Sequence, residues 1–171
     1  MAKKTKIILD ADVIIHFAKG GALHLLPSIF PNYDYAILQT VYDEILKPTR
    51  IQLDNQLRFL KNIEKLPFDP KGEMLREYAL LSFTLGKGES ACMVYCRYHN
   101  DVIGSSNLKD IKGYCQKYKL TYLTTLDFLY YAIKHGIMTI AEANQFVKDV
   151  NSKDSTLPKV DFATFVSAVL I

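Results

Sequence analysis

Asp10 ends a short apolar run, Glu44 lies in a helical stretch after a second such run, Glu89 opens another helix, and Asp110 follows a third apolar run. Asp12 stands two residues beyond the first of these acids. Hard cations such as Mg²⁺ and Mn²⁺ take oxygen ligands, and carboxylates brought close together repel unless a divalent ion neutralises them. A cation held in such a cluster lowers the pKa of bound water, polarises a phosphodiester oxygen and stabilises the leaving oxygen, so hydrolysis needs no covalent intermediate. Each residue alone also has a structural explanation. Asp10 suits a helix N-cap, Glu44 a solvent-facing helix position, Glu89 a first-turn acid favoured by the helix dipole, and Asn107 with Asp110 something close to a capping box.

The elements that must position these acids are legible from hydrophobic period and breakers. Lys6–Leu9 reads as a strand, followed by a helix through Val13, Ile14, Phe17 and Ala18 that Gly20 and Gly21 stop. Tyr35–Leu38 reads as a second strand, followed by a helix over Thr40–Leu46 with Val41, Ile45 and Leu46 inward, ended by Pro48. Residues 50–64 and 73–84 are expected as two helices forming an arm, and a further helix starts at Gly86-Lys-Gly88 and runs to about Tyr98. Strands at Asp101–Gly104 and Leu120–Leu123, with helices at Leu108–Tyr118, Asp127–Lys134 and Thr139–Val150, complete the pattern. Short buried strands alternating with helices imply an α/β fold with a mostly parallel sheet, whose right-handed crossovers bring all strand carboxyl ends to one edge. Ligands of open α/β sheets bind at that edge.

With 171 residues, 49% hydrophobic and 23% charged, the chain has the size and balance of one globular domain. Residues 1–150 are expected to form it. The polar stretch Asn151–Pro158 leads to a tail, 151–171, expected to be helical and to dock or join subunits. Apolar runs are broken by charge far short of a membrane span, and Met1-Ala-Lys-Lys is not followed by the apolar segment an export signal needs. Cys92, Cys96 and Cys115 are odd in number and read as buried thiols in a reducing, cytoplasmic compartment, with no second pair or His to complete a zinc site around Cys92 and Cys96. The net charge of +3 suits, without requiring, recruitment of a nucleic-acid backbone.

At the acids a resemblance appears. The segments IILDADVIIHFAKGG, TVYDEIL, GKGESACMVYC and VIGSSNLKDI resemble, in order, the four motifs of PIN-domain nucleases, over roughly residues 5–135. The resemblance implies a PIN-like three-layer α/β/α sandwich and a metal-dependent ribonuclease using Mg²⁺ or Mn²⁺. It further implies that Asp10, Glu44, Glu89 and Asp110 are catalytic and metal-binding, with Asp12, Ser105, Ser106 and Asn107 in support. Asp12 stands where the family more often has Asn, and Glu89 where Asp is often seen. Asn107 followed three residues later by Asp110 matches the last motif of many PIN toxins, and the 21-residue step from Glu89 to Asp110 resembles the family spacing. Resemblance to toxin members implies RNA as substrate, a homodimer and an antitoxin protein as partner.

Other residues and readings stay open. Asp127 follows a strand and can reach the same edge, although helix capping is its expected role. His16 is expected as a surface or hydrogen-bonded core imidazole. Tyr95, Tyr98, Tyr114, Tyr118, Tyr130 and Tyr131 are expected as packing residues before base-stacking ones. Gly86–Ser90 lacks the spacing of a phosphate-cradling loop. One rival is a haloacid-dehalogenase-like phosphatase with Asp10 as nucleophile and Asp12 as general acid, which leaves Glu44 and Glu89 unused. The other is an inert PIN-like fold kept for binding RNA or protein.

Overall fold

The computed structural model describes residues 4–171, so the N-terminal basic segment considered above as an export signal lies largely outside the described residues. Strand β1 (Lys6–Leu9) runs into helix α1 (Ala11–Lys19), and β2 (Asp34–Leu38) into α2 (Gln39–Glu44). Helix α3 (Thr49–Asn55) continues into a π turn over Gln56–Leu60, and β3 (Glu64–Leu66), α4 (Gly72–Leu81) and α5 (Lys87–His99) follow. After β4 (Val102–Gly104) come α6 (Leu108–Tyr118), β5 (Tyr122–Leu123), α7 (Thr125–Lys134) and α8 (Ile140–Asn151).

The five strands form one parallel sheet in the order β3-β2-β1-β4-β5. Central β1 pairs Ile7 with Tyr35 on one side and Ile8 with Ile103 on the other. Because β1 is covered on both faces, Ile7, Ile8 and Leu9 are fully buried, as expected of a strand that reads as an unbroken apolar run. Helices α1, α7 and α8 pack together on one side and α4, α5 and α6 on the other, which makes the three-layer α/β/α sandwich. On the α1 side Phe17 meets Phe128 and Phe146 at ring centroids 6.0 and 5.0 Å apart.

The differences from the expected elements have local causes. The arm helix expected over 50–64 ends early, because Lys61 turns into the left-handed region at φ 50°, and the chain re-enters the sheet as the edge strand β3. Helix α2 ends at Glu44, with Ile45 already extended; Ile45 is buried while Leu46, expected inward, is exposed. The tail takes no helix beyond Asn151. Asp161 caps a single turn, accepting from Ala163 N at 2.9 Å, and Pro158 together with the β-branched Val160, Thr164, Val166 and Val169 disfavours propagation. It packs on the body as irregular chain with Leu157 and Phe162 buried.

Candidate metal centre

Connections from β1 and β4 leave in opposite directions, so their carboxyl ends form the sheet's switch point, where a crevice opens between neighbouring loops. Asp10 stands there beside Ser105. Its backbone N–H donates to Gly104 O at 2.8 Å, one carboxylate oxygen accepts from Ala11 N at 2.8 Å, and the other accepts from the Ser105 hydroxyl at 3.3 Å. The expected capping role is thus real, yet it uses one oxygen only. Asp12, two residues further, accepts from Val13 N at 2.6 Å and from Ser106 N at 2.8 Å.

Glu89 enters from the first turn of α5, and its carboxylate is buried. The preceding Gly88 donates its N–H to Glu44 Oε1 at 2.8 Å, which ties the end of α2 to the start of α5. Glu44 is otherwise exposed, as a solvent-facing helix residue would be, but its carboxylate is turned toward α5. A Cβ on residue 88 would lie 2.4 Å from Glu44 Oε2, so the approach requires glycine. Asn107 precedes α6 but makes no side-chain cap; its Nδ2 donates to Asp110 Oδ2 at 2.8 Å, which replaces the expected capping box with an Asn–Asp pair.

Electrostatics link these acids. Burial pushes the Asp10 carboxyl up to about 8, with Asp12, Glu89 and Glu44 adding repulsion and the Ala11 amide opposing it. Burial likewise raises Glu89 to about 7, helped by the neighbouring charges of Asp110 and Asp12. Asp12 is raised by burial against the amides of Ser106 and Val13. The acids are thus linked in series at this edge, Asp10 to Asp12, Glu89 and Glu44, and Glu89 to Asp12 and Asp110.

Among the described residues, no three or more His, Cys, Asp or Glu side chains are gathered closely enough to hold a cation as they stand. The chemistry of the set nevertheless suits a hard divalent ion. Every donor is oxygen, and Glu89 Oε1 is buried with no hydrogen-bond partner among the described residues, which is costly for a carboxylate unless a cation satisfies it.

Several side chains of this edge were not legible as a network. The Ser106 hydroxyl donates to Thr125 Oγ1 and accepts from Thr125 N, both at 2.8 Å, and Thr125 Oγ1 lies 2.8 Å from His16 Nδ1. Burial lowers His16 to about 4, so the ring is neutral and its Nδ1 pairs with the Thr125 hydroxyl, as a satisfied core imidazole. Asp127 is consumed elsewhere: Oδ2 accepts from Thr124 N and Oγ1 at 2.8 and 2.7 Å, closing a capping box, and Oδ1 accepts from Ser167. Cys92, Cys96 and Cys115 are buried free thiols, raised by burial.

A family model described as a PIN domain matches residues 6–162. The chain belongs to the PIN-domain family, whose members are in general nucleases that use divalent metal. Nothing among curated proteins matches the chain. Family membership leaves the phosphatase reading of Asp10 and Asp12 without support. No helix among the described residues is long and apolar enough to cross a membrane.

Proposed function

We propose that this chain is a metal-dependent endoribonuclease, with residues 1–150 as the nuclease domain and its cation at the carboxyl edge of the sheet. The buried, unpartnered Oε1 of Glu89, set among Asp10, Asp12 and Asp110, is the observation that carries this reading. Asp10, Glu89 and Asp110 would hold Mg²⁺ or Mn²⁺ with Glu44 at the rim, and the ion when bound would supply Lewis acidity and an activated water.

The chain's own residues do the rest. Ser105 and Asn107 orient Asp10 and Asp110, and the Ser106 amide holds Asp12 beside them. Gly88 fixes Glu44. Exposed Lys87 and Lys109, each next to a residue of the site, meet the phosphate backbone of RNA. A protein partner, a second copy or an antitoxin, is supported by the arm: Phe59, Leu60, Leu80 and Phe83 are all more than half exposed there.

The test is cleavage of structured RNA with Mn²⁺ or Mg²⁺ by wild type, Asp10→Asn and Asp110→Asn. Each variant is expected to lose more than about a hundredfold in rate, because several kcal/mol of charge stabilisation goes with the ion. Undiminished cleavage by both variants sinks the mechanism, and wild type that binds no Mn²⁺ at millimolar concentration is an inert RNA- or protein-binding module instead.

A further inference from the structure

The C-terminal segment is connected to the acid edge by hydrogen bonds on either side of the first turn of α7. Ser167, buried, donates its hydroxyl to Asp127 Oδ1 at 2.6 Å, 40 positions away in the chain. Asp127 Oδ2 in turn holds both Thr124 N and Thr124 Oγ1, closing the first turn of α7. The next residue, Thr125, is the one that grips the Ser106 hydroxyl with its amide and its own hydroxyl, and the Ser106 amide donates to Asp12 Oδ2 at 2.8 Å.

The segment is anchored on either side of Ser167 as well. Asn151 brackets the chain at Leu157, accepting from its N at 2.7 Å and donating to its O at 3.2 Å. Tyr131 donates to Val169 O at 2.5 Å, and Phe165 packs edge-on against Tyr130 with ring centroids 6.2 Å apart. Ser167 and Val169, which form this strap, lie beyond residue 162, where the family match ends.

We propose that Ser167 is a positioning residue for the acid edge, acting through Asp127 and the first turn of α7 on Ser106 and hence on Asp12. A buried carboxyl group loses its one tail donor when Ser167 goes, and no other tail residue donates to it. The α7 turn then gains freedom at its N-terminus, where Thr125 meets Ser106. The consequence for cation binding rests on the nuclease reading above; the consequence for Ser106 does not.

Amide hydrogen exchange and Mn²⁺ titration of Ser167→Ala, Ser167→Thr and Ser155→Ala, all in the full chain, separate the two. In Ser167→Ala the Ser106 amide is expected to exchange about tenfold faster, while the sheet amides of Ile8 and Ile103 keep wild-type protection. Mn²⁺ is expected to bind about tenfold more weakly, the low end of what outer-shell substitutions cost. Ser167→Thr keeps the hydroxyl and restores both. Ser155→Ala, which removes the same segment's contact with Lys19, leaves both unchanged. Unaltered Ser106 exchange in Ser167→Ala overturns the proposal, as does acceleration that spreads equally to Ile8 and Ile103. Exchange needs no cation, so a wild type that ignores Mn²⁺ defeats the nuclease reading and leaves the exchange result to decide the strap.

Discussion

The carboxylate of Glu44 and the amide of Gly88 meet at 2.8 Å across the gap between α2 and α5, and the missing Cβ of Gly88 is what lets them. An added methyl would stand 2.4 Å from Glu44 Oε2, and the carboxylate, the end of a flexible side chain, is the group that must give way.

Gly88→Ala therefore separates fold from site. Alanine gains up to about 1 kcal/mol over glycine in a helix, so thermal stability is expected to stay level or rise. Displacing Glu44 is expected to weaken Mn²⁺ binding and cleavage together by about tenfold. A variant as active and as Mn²⁺-avid as wild type would remove Glu44 from the site.

The raised carboxyls of Asp10 and Glu89 tie cation binding to pH. A folded carboxyl that titrates near 7 or 8 keeps a proton the unfolded chain has already released, so the metal-free protein loses stability as pH climbs from about 4 to about 8. Cation binding expels those protons, so Mn²⁺ affinity is expected to rise by about one to two decades between pH 6 and pH 8. The thermal shift caused by a fixed Mn²⁺ concentration should grow over the same interval. Equal shifts at pH 6 and pH 8 would mean that neither carboxyl is a ligand.

What the sequence displayed and what it concealed divide by range of interaction. β1, β4 and the acids after them were legible because a buried parallel strand is a short apolar run with a polar residue at its end, and Ile7–Leu9 followed by Asp10 is such a pattern. β3 was not, since its Glu64 and Lys65 are exposed and three residues are too few to show a period. Asp127 was expected as a helix cap, and it serves as one, three residues into the helix as the partner of the N-cap Thr124 in a capping box, a local relationship. Its bond to Ser167, like the contacts of Thr125 with His16 and Ser106, joins residues that no spacing rule relates. The tail was misjudged because its apolar content suggested a helix, whereas Leu157, Phe162 and Ser167 are buried singly and Val166 and Leu170 stay exposed.

His16 sets an acid limit on the fold. Its pKa is lowered, so below about 6.5 the unfolded chain takes up a proton that the folded protein refuses until about 4, and stability falls as pH drops through that window. The loss amounts to about 3 kcal/mol once pH is below both values. His16→Asn, which keeps an acceptor near the Nδ1 position for Thr125, is expected to shed this part of the pH dependence in chemical denaturation at pH 7 and pH 4.5. An identical decline in both proteins would place the acid sensitivity elsewhere.

Lys87 and Lys109 flank the acid edge from α5 and α6, both exposed and neither in an ion pair among the described residues. An anionic site must still recruit an anionic polymer, and cations at its rim are the groups that can offset that repulsion. Each lysine that neutralises one phosphate releases condensed counterions, contributing about 0.7 to the slope of log affinity against log salt for a single strand. In an Asp10→Asn background, where cleavage is suppressed, Lys87→Ala and Lys109→Ala are each expected to flatten that slope by about 0.7, and the pair by about 1.4. Weakened binding with an unchanged slope would show that these lysines act on the protein and not on the phosphates, and the path of the RNA across the edge would then have to avoid both helix starts.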